Sequence, residues 1–283
     1  MANDEKGDTA TVYIRVMKEL FARHSAEKVD EFEWSRSEIK EICEALGVRE
    51  PKNLGDNIYS IRHGREALPE EILKLAKPRH WLLLPNGKGK YKFVKAKNGP
   101  FAPDTTLRAI KVPNSTPQIV ERYALGDEQA VLARIRYNRL IDLFLGIAAF
   151  PLQSHLRTTV EHFARSQIET DELYVGVDKC GIQYVIPVQA KGRDEIIGAV
   201  QAIQDIYCCR ERFPHLVCKA IAAQTIDISK TGSGTDVYTI ALMELAIDAG
   251  SAYDVSKVQE RHFKLVEHTE ITSADLDEYK KQS

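Results

Sequence analysis

Along the first hundred residues, apolar positions recur at helical spacing and then switch to the spacing of strands. TVYIRVMKELFAR, residues 11–23, carries Val12, Ile14, Val16, Met17, Leu20 and Phe21, most of them on one helical stripe. SRSEIKEICEALG, residues 35–47, repeats the stripe with Ile39, Ile42, Cys43 and Leu46. Ser35 and Glu38 have the spacing of a capping box, and Gly47 is placed to end the helix. In NLGDNIYSIRHG, residues 53–64, Leu54, Ile58 and Ile61 share a stripe, leaving Asn53, Asn57, Ser60, Arg62 and His63 mostly elsewhere on the surface. LPEEILKLA, residues 68–76, is a further short helix with Pro69 near its start. HWLLLPNGKGKYKFVKA, residues 80–96, reads as two strands around a PNGKGK turn that carries Lys88 and Lys90.

Residues 98–118 are rich in Pro, Asn and Thr and read as a linker with one strand at LRAIKV. Residues 127–147 have helical apolar spacing. The pattern then predicts a helix over 152–167, a strand over 171–178, a turn at Lys179–Gly181 and a strand over 182–191. A long helix over 193–213 and a strand over 215–226 follow, and 237–247 is a strand or the start of a helix. This order predicts an α/β core. The expected organisation is a mainly helical domain over 1–98, a linker over 99–126 and the core over 127–283.

A length of 283 residues fits one large domain or two ordinary ones, and 43% hydrophobic content fits a packed core. The net charge of -2 argues against a wholly basic nucleic-acid binder. Between residues 50 and 100, however, eleven basic residues stand against five acidic ones, an excess suited to a polyanion. The five cysteines form no CxxC pair, which predicts reduced thiols rather than a zinc site. The N-terminus lacks a signal pattern, and no apolar run approaches the ~20 residues that span a membrane. A soluble, cytoplasmic protein with no membrane partner is expected. A tight helix–turn–helix exposing amides, a hydroxyl and an arginine suits base-edge reading. With the basic hairpin after it, the region resembles a winged helix–turn–helix domain. Asn53, Asn57, Ser60, Arg62, His63, Lys88 and Lys90 are its candidate DNA contacts.

The chemistry concentrates in YVIPVQAK, residues 184–191. Gln189 and Lys191 are two apart on a strand, so they point to one face. A lysine ending an apolar strand is costly without a negative partner. Asp171 and Glu172 open the preceding strand, and a hairpin around Lys179–Gly181 brings them beside the Gln-x-Lys pair. Asp171 shares a face with Leu173, Val175 and Val177, and Glu172 shares the less apolar one with Tyr174 and Gly176, which slightly favours Glu172 as the main acid. Asp178 reads as a turn residue.

An acid followed across a hairpin by Gln, one spacer and Lys resembles the PD-(D/E)xK nuclease motif, here TDE…QAK. The resemblance covers about residues 150–230. It implies a restriction-endonuclease-like core, a central mixed β-sheet flanked by helices, in a type II restriction endonuclease with an added DNA-binding domain. It further implies Mg²⁺ held by Asp171, Glu172 and Gln189, with Lys191 acting on the attacking water or the phosphate. In this family the main acid is more often Asp, and a supporting acid on the preceding helix corresponds to Glu161. Double-stranded DNA as substrate, a homodimer and a cognate methyltransferase acting on the same site go with it. Gln189 departs from the usual acid: its amide oxygen ligates Mg²⁺ without a formal charge. That departure supports a second reading, a DNA-binding regulator with an inactive nuclease-like core.

Overall fold

The computed structural model describes residues 2–50, Gly55, Ile58, Ile61, 68–124, 127–230 and 236–281, with side chains described from Val12 onward. The N-terminal part contains helix α1 (Ala2–Arg23), strand β1 (Glu31–Ser35), helices α2 (Arg36–Leu46) and α3 (Glu70–Ala76), and strands β2 (His80–Pro85) and β3 (Lys90–Ala96). Glu38 closes the start of α2 by accepting the Ser35 N–H at 2.8 Å, and left-handed Gly47 ends it. The three strands form an antiparallel sheet in the order β1-β3-β2. Strand β1 is too short for its alternation, Phe32 and Trp34 inward and Glu31 and Glu33 outward, to stand out in the sequence.

Alternation gives this small sheet two buried faces. Trp81, Leu83, Tyr91 and Phe93 pack with Leu20 and Phe21 of α1 and Ile39 and Ile42 of α2. Leu82, Leu84, Val94 and Ala96 face the other way, into the core of the C-terminal part. The hairpin tip is fastened there as well. The Gly87 N–H donates to Ser166 Oγ at 3.1 Å, and beyond β3 the Asn98 amide donates to the Val255 carbonyl at 2.7 Å.

The larger sheet is mixed and flanked by helices. In chain order it is built from β4 (Ile110–Pro113), α4 (Gln118–Tyr123), α5 (Glu128–Tyr137), α6 (Leu140–Leu145), β5 (Ala148–Val160), β6 (Ser166–Val177) and β7 (Gln183–Lys191). Then follow α7 (Ala199–Arg212), β8 (Val217–Cys218), β9 (Ala220–Lys230), β10 (Asp236–Ile247), β11 (Val255–Val266) and α8 (Ser273–Lys280). The strands lie in the order β4-β11-β10-β9-β7-β6-β5, with β8 beside β7. Strands β5, β6 and β7 run antiparallel; β7 and β9 are parallel, joined by α7 as the crossover. Val200 and Ile203 of α7 cover one face with Leu173, Val185 and Met243, and Leu132, Ile135 and Leu140 of α5 and α6 cover the other with Ile186, Val188 and Leu242.

Several elements differ from the sequence expectation. Residues 152–167 are not a helix: they complete β5, pass through a single 3₁₀ turn at Glu161–Phe163 and enter β6. Leu156, Thr158 and Val160 alternate inward, and pairing along β6 outweighs the helical appearance of the polar residues between them. The segment expected as a linker supplies β4, parallel to β11, and α4. The helix expected over 127–147 breaks into α5 and α6 where Arg139 turns left-handed (φ 50°). Among the described residues, no helix is long and apolar enough to cross a membrane.

Candidate active site

The β6–β7 hairpin places the candidate residues. Its pairing runs from Glu172 opposite Val188 to Val177 opposite Gln183. Asp178 holds the turn, accepting the N–H groups of Cys180 and Ile182 at 2.8 and 3.0 Å and the Tyr184 hydroxyl at 3.0 Å. Strand β7 is buried from Tyr184 to Lys191, so Gln189 and Lys191 end it inside the protein.

Asp171 lies one residue beyond the paired stretch, and its Oδ2 accepts the Ala190 N–H at 2.9 Å. Strand alternation breaks here. Ile168 and Leu173 belong to the same core cluster with α7, and Thr170 bonds to Asp205 on α7, although Thr170 and Leu173 are three apart. Opposite Asp171 on β5, His155 is left-handed (φ 49°). The break sends Asp171 and Glu172 to different surroundings. Burial raises the Asp171 carboxyl from 3.8 to about 6. The Ala190 N–H and the charges of Lys191 and His155 pull it down, and Glu128 pushes it up.

Glu172, slightly favoured from the sequence, is not brought to Lys191. It is fully buried on the face covered by α5, where Arg136 Nε donates to Oε1 at 3.0 Å and the Tyr174 hydroxyl donates to Oε2 at 2.9 Å. The Arg136 fork also pairs with it as an ion pair. Burial, with Glu172 beside it, raises the Tyr174 phenol. This carboxylate therefore ties α5 to the sheet.

The partner of Lys191 is Glu128, the first residue of α5. The Asp127 side chain caps that helix by accepting the Ala130 N–H at 3.0 Å, which fixes where α5 begins beside the end of β7. Gln189 uses its Nε2 group twice, donating to the Glu169 carbonyl at 3.1 Å and to Asp205 Oδ2 at 2.9 Å. Asp205, on α7, also accepts the Thr170 hydroxyl at 2.5 Å. Burial lifts its carboxyl to about 7. Sequence reasoning missed both Glu128 and Asp205. Glu128 is 63 positions from Lys191 and had no local signal. Asp205 had one: an acid among Ala202, Ile203, Ile206 and Cys209, on a helix otherwise buried there.

Glu161 stands apart. It opens the 3₁₀ turn at the far end of the β5–β6 hairpin, exposed, and pairs with Arg165 at 3.1 Å. Lys88 and Lys90 are exposed at the β2–β3 turn, which lies against that same end. Asn53, Asn57, Ser60, Arg62 and His63 lie outside the described residues.

The Asp171 carboxylate accepts the Ala190 N–H, while Gln189 Oε1 faces Gln201 and a small space lined largely by apolar side chains, without Asp171. Among the described residues, no group of three or more His, Cys, Asp or Glu is arranged to hold a metal. No family model, no curated protein and no solved structure matches the chain.

Proposed function

We propose that the chain is a Mg²⁺-dependent endonuclease that hydrolyses double-stranded DNA at a specific site, in the manner of a type II restriction enzyme. The observation that carries this reading is the convergence of Asp171, Gln189 and Lys191 at the end of one buried hairpin. Helices α5 and α6, three antiparallel strands, a crossover helix and a parallel strand surround it, an order that supports a PD-(D/E)xK core. The three-stranded sheet with its helices supports a winged-helix-like DNA grip, in which Lys88 and Lys90 meet phosphates.

In this reading Asp171 would hold the cation, with the Gln189 amide oxygen as the second ligand that the resemblance implies. When bound, Mg²⁺ supplies an acidified water and offsets charge on the scissile phosphate. Lys191 orients that water or neutralises the phosphoryl oxygens. Glu128 pairs with the Lys191 ammonium and holds it at the end of β7. Glu128 takes the supporting place that the sequence offered to Glu161, and Glu172 leaves the ligand set for the interior of the fold. Cutting both strands calls for two such sites, hence a homodimer, and resident DNA calls for a methyltransferase of the same specificity.

The test is incubation of the purified chain with unmethylated and cell-derived plasmid, with Mg²⁺ and with EDTA. Discrete fragments only with Mg²⁺ are expected. Uncut DNA in every lane would instead support the second reading, an inactive core on a DNA-binding regulator. The observation favouring that reading is the neutral Gln189 at the position of an acid.

A further inference from the structure

A cavity opens on the same edge of the large sheet as Lys191. Strands β7, β9, β11 and β4 all run one way: β7 is parallel to β9, both β9 and β11 are antiparallel to β10, and β4 is parallel to β11. Lys191 ends β7, and Lys230, Val266 and Pro113 end the other three at that edge. The cavity measures about 410 Å³, within the range of small-molecule sites, and Gln118, Arg122, Asp236, Tyr238 and Glu267 are among its lining. Lys191 is level with Gln224, and Gln224 with Ala241. Tyr238 therefore lies two strands and three residues from Lys191, about 14 Å by strand spacing and rise.

The wall at Tyr238 is braced from behind. The Arg134 guanidinium sits over one face of the Tyr238 ring, 3.4 Å from its centroid. Arg134 is only 2% exposed, and Glu121 fixes it by accepting from Nε at 3.1 Å and from Nη2 at 2.7 Å. A buried ion pair adds little stability by itself. This one holds an aromatic ring still at the wall of a cavity.

The chemistry of the lining selects the occupant. A flat ring offers stacking. A cationic ligand gains less there, because Arg134 already draws on the same π-system and adds its own positive charge. An apolar ring would leave Gln118, Arg122, Asp236 and Glu267 facing it without partners. A planar group with a polar edge meets both demands. Ionised Asp236 and Glu267 only accept hydrogen bonds, and Arg122 only donates. A nucleobase with an exocyclic amino group presents donors to the carboxylates and ring or carbonyl acceptors to the arginine.

We propose that this cavity is a nucleobase site: Tyr238 stacks on the base, Asp236 and Glu267 accept from its amino group, and Arg122 donates to its acceptor edge. The base belongs either to a free nucleotide or to a DNA strand in which it has left the stack. The site stands on the cavity alone and goes beyond the cleavage reading, so a chain that never cuts DNA still has it.

The test titrates the full-length chain with deoxyguanosine, deoxycytidine, deoxyadenosine and thymidine, followed by proton NMR of the nucleoside. Saturable binding is expected for the three amino-bearing nucleosides, at least about five-fold tighter than for thymidine, with base protons shifted upfield by the Tyr238 ring. Tyr238→Leu should weaken binding at least about five-fold, and Tyr238→Phe should stay within about two-fold of wild type. Asp236→Asn/Glu267→Gln, at two exposed positions, should bring the amino-bearing nucleosides down to the thymidine level. The proposal is overturned by no saturable binding up to millimolar concentration, by thymidine bound as tightly as the rest, or by Tyr238→Leu binding like wild type. If Tyr238→Leu does not fold, the upfield shifts in wild type decide, and their absence overturns the proposal. Fluorescence anisotropy of a labelled DNA duplex then separates the two sources. Duplex affinity lowered by saturating deoxyguanosine in wild type, and not in Tyr238→Leu, assigns the site to a base of DNA. Nucleoside binding that leaves duplex affinity unchanged assigns it to a free nucleotide, and either result supports the site.

Discussion

Asp171→Asn should make the metal-free protein more stable while removing its activity. The Asp171 carboxyl rises from 3.8 to about 6 on folding, chiefly because burial penalises its charge. That difference corresponds to about 3 kcal/mol of disfavoured ionisation. Asn keeps the shape and an oxygen that accepts the 2.9 Å bond from Ala190, but carries no charge to bury. The sign follows from proton linkage. The folded state of wild type holds the proton to higher pH than the unfolded chain, so wild-type stability falls as pH rises from about 4 to about 6 and then levels. The variant lacks this loss. Its advantage should be near zero at about pH 4 and reach about 2 to 3 kcal/mol by pH 8, allowing for partial exposure. For a chain of this size that corresponds to roughly 4 to 12 °C in Tm. Thermal unfolding of both proteins in EDTA across this pH range measures it, and plasmid cleavage with Mg²⁺ measures the loss of function. A variant that is no more stable relative to wild type at pH 8 than at pH 4 would refute the reasoning.

Arg136→Leu should be strongly destabilising, by about 3 to 5 kcal/mol, because it leaves the fully buried Glu172 without its cation; urea unfolding checks this, and a loss under about 1 kcal/mol would make Glu172 a poor anchor. Lys191→Ala should lower the cleavage rate at least about 100-fold while DNA affinity in a Ca²⁺ gel-shift assay stays the same; wild-type rates would remove Lys191 from the chemistry. Glu128→Gln should slow cleavage less severely, since the Lys191 ammonium loses its charged partner but not its place on β7, and single-turnover kinetics would show this as a change in the chemical step. A chain beginning at residue 99 should fail to fold stably, since it lacks Leu82, Leu84, Val94 and Ala96 from the shared core; a cooperative melt matching the full chain would contradict that.

The hairpin of residues 171–191 was legible because both of its signals are local: alternating or continuous apolar runs, and a Gly-bearing turn between them. The helical start of the chain and the β2–β3 hairpin were legible for the same reason. Which of Asp171 and Glu172 meets Lys191 was not. A regular strand would have put them on opposite faces in a fixed alternation, but the break between Thr170 and Leu173, matched by left-handed His155 on β5, is a property of pairing and leaves no mark in the local sequence. The helix expected over 152–167 failed in a similar way, because Thr158, Thr159 and Val160 are favourable in a strand only once β6 lies alongside them. Glu161 was placed on that expected helix, and the acid that does reach Lys191 comes from an element far away in the chain.

At strands β2 and β3 the small N-terminal sheet is buried on both sides, one face against the helices before it and the other in the core after it, and its turn is bonded to Ser166. A hinge needs a seam that opens without exposing apolar surface, and this joint has none. Under the proposed nuclease reading, such a joint would work as a ruler. The offset between contact and cut would be set by rigid geometry, and lengthening the chain between the two parts would not change it.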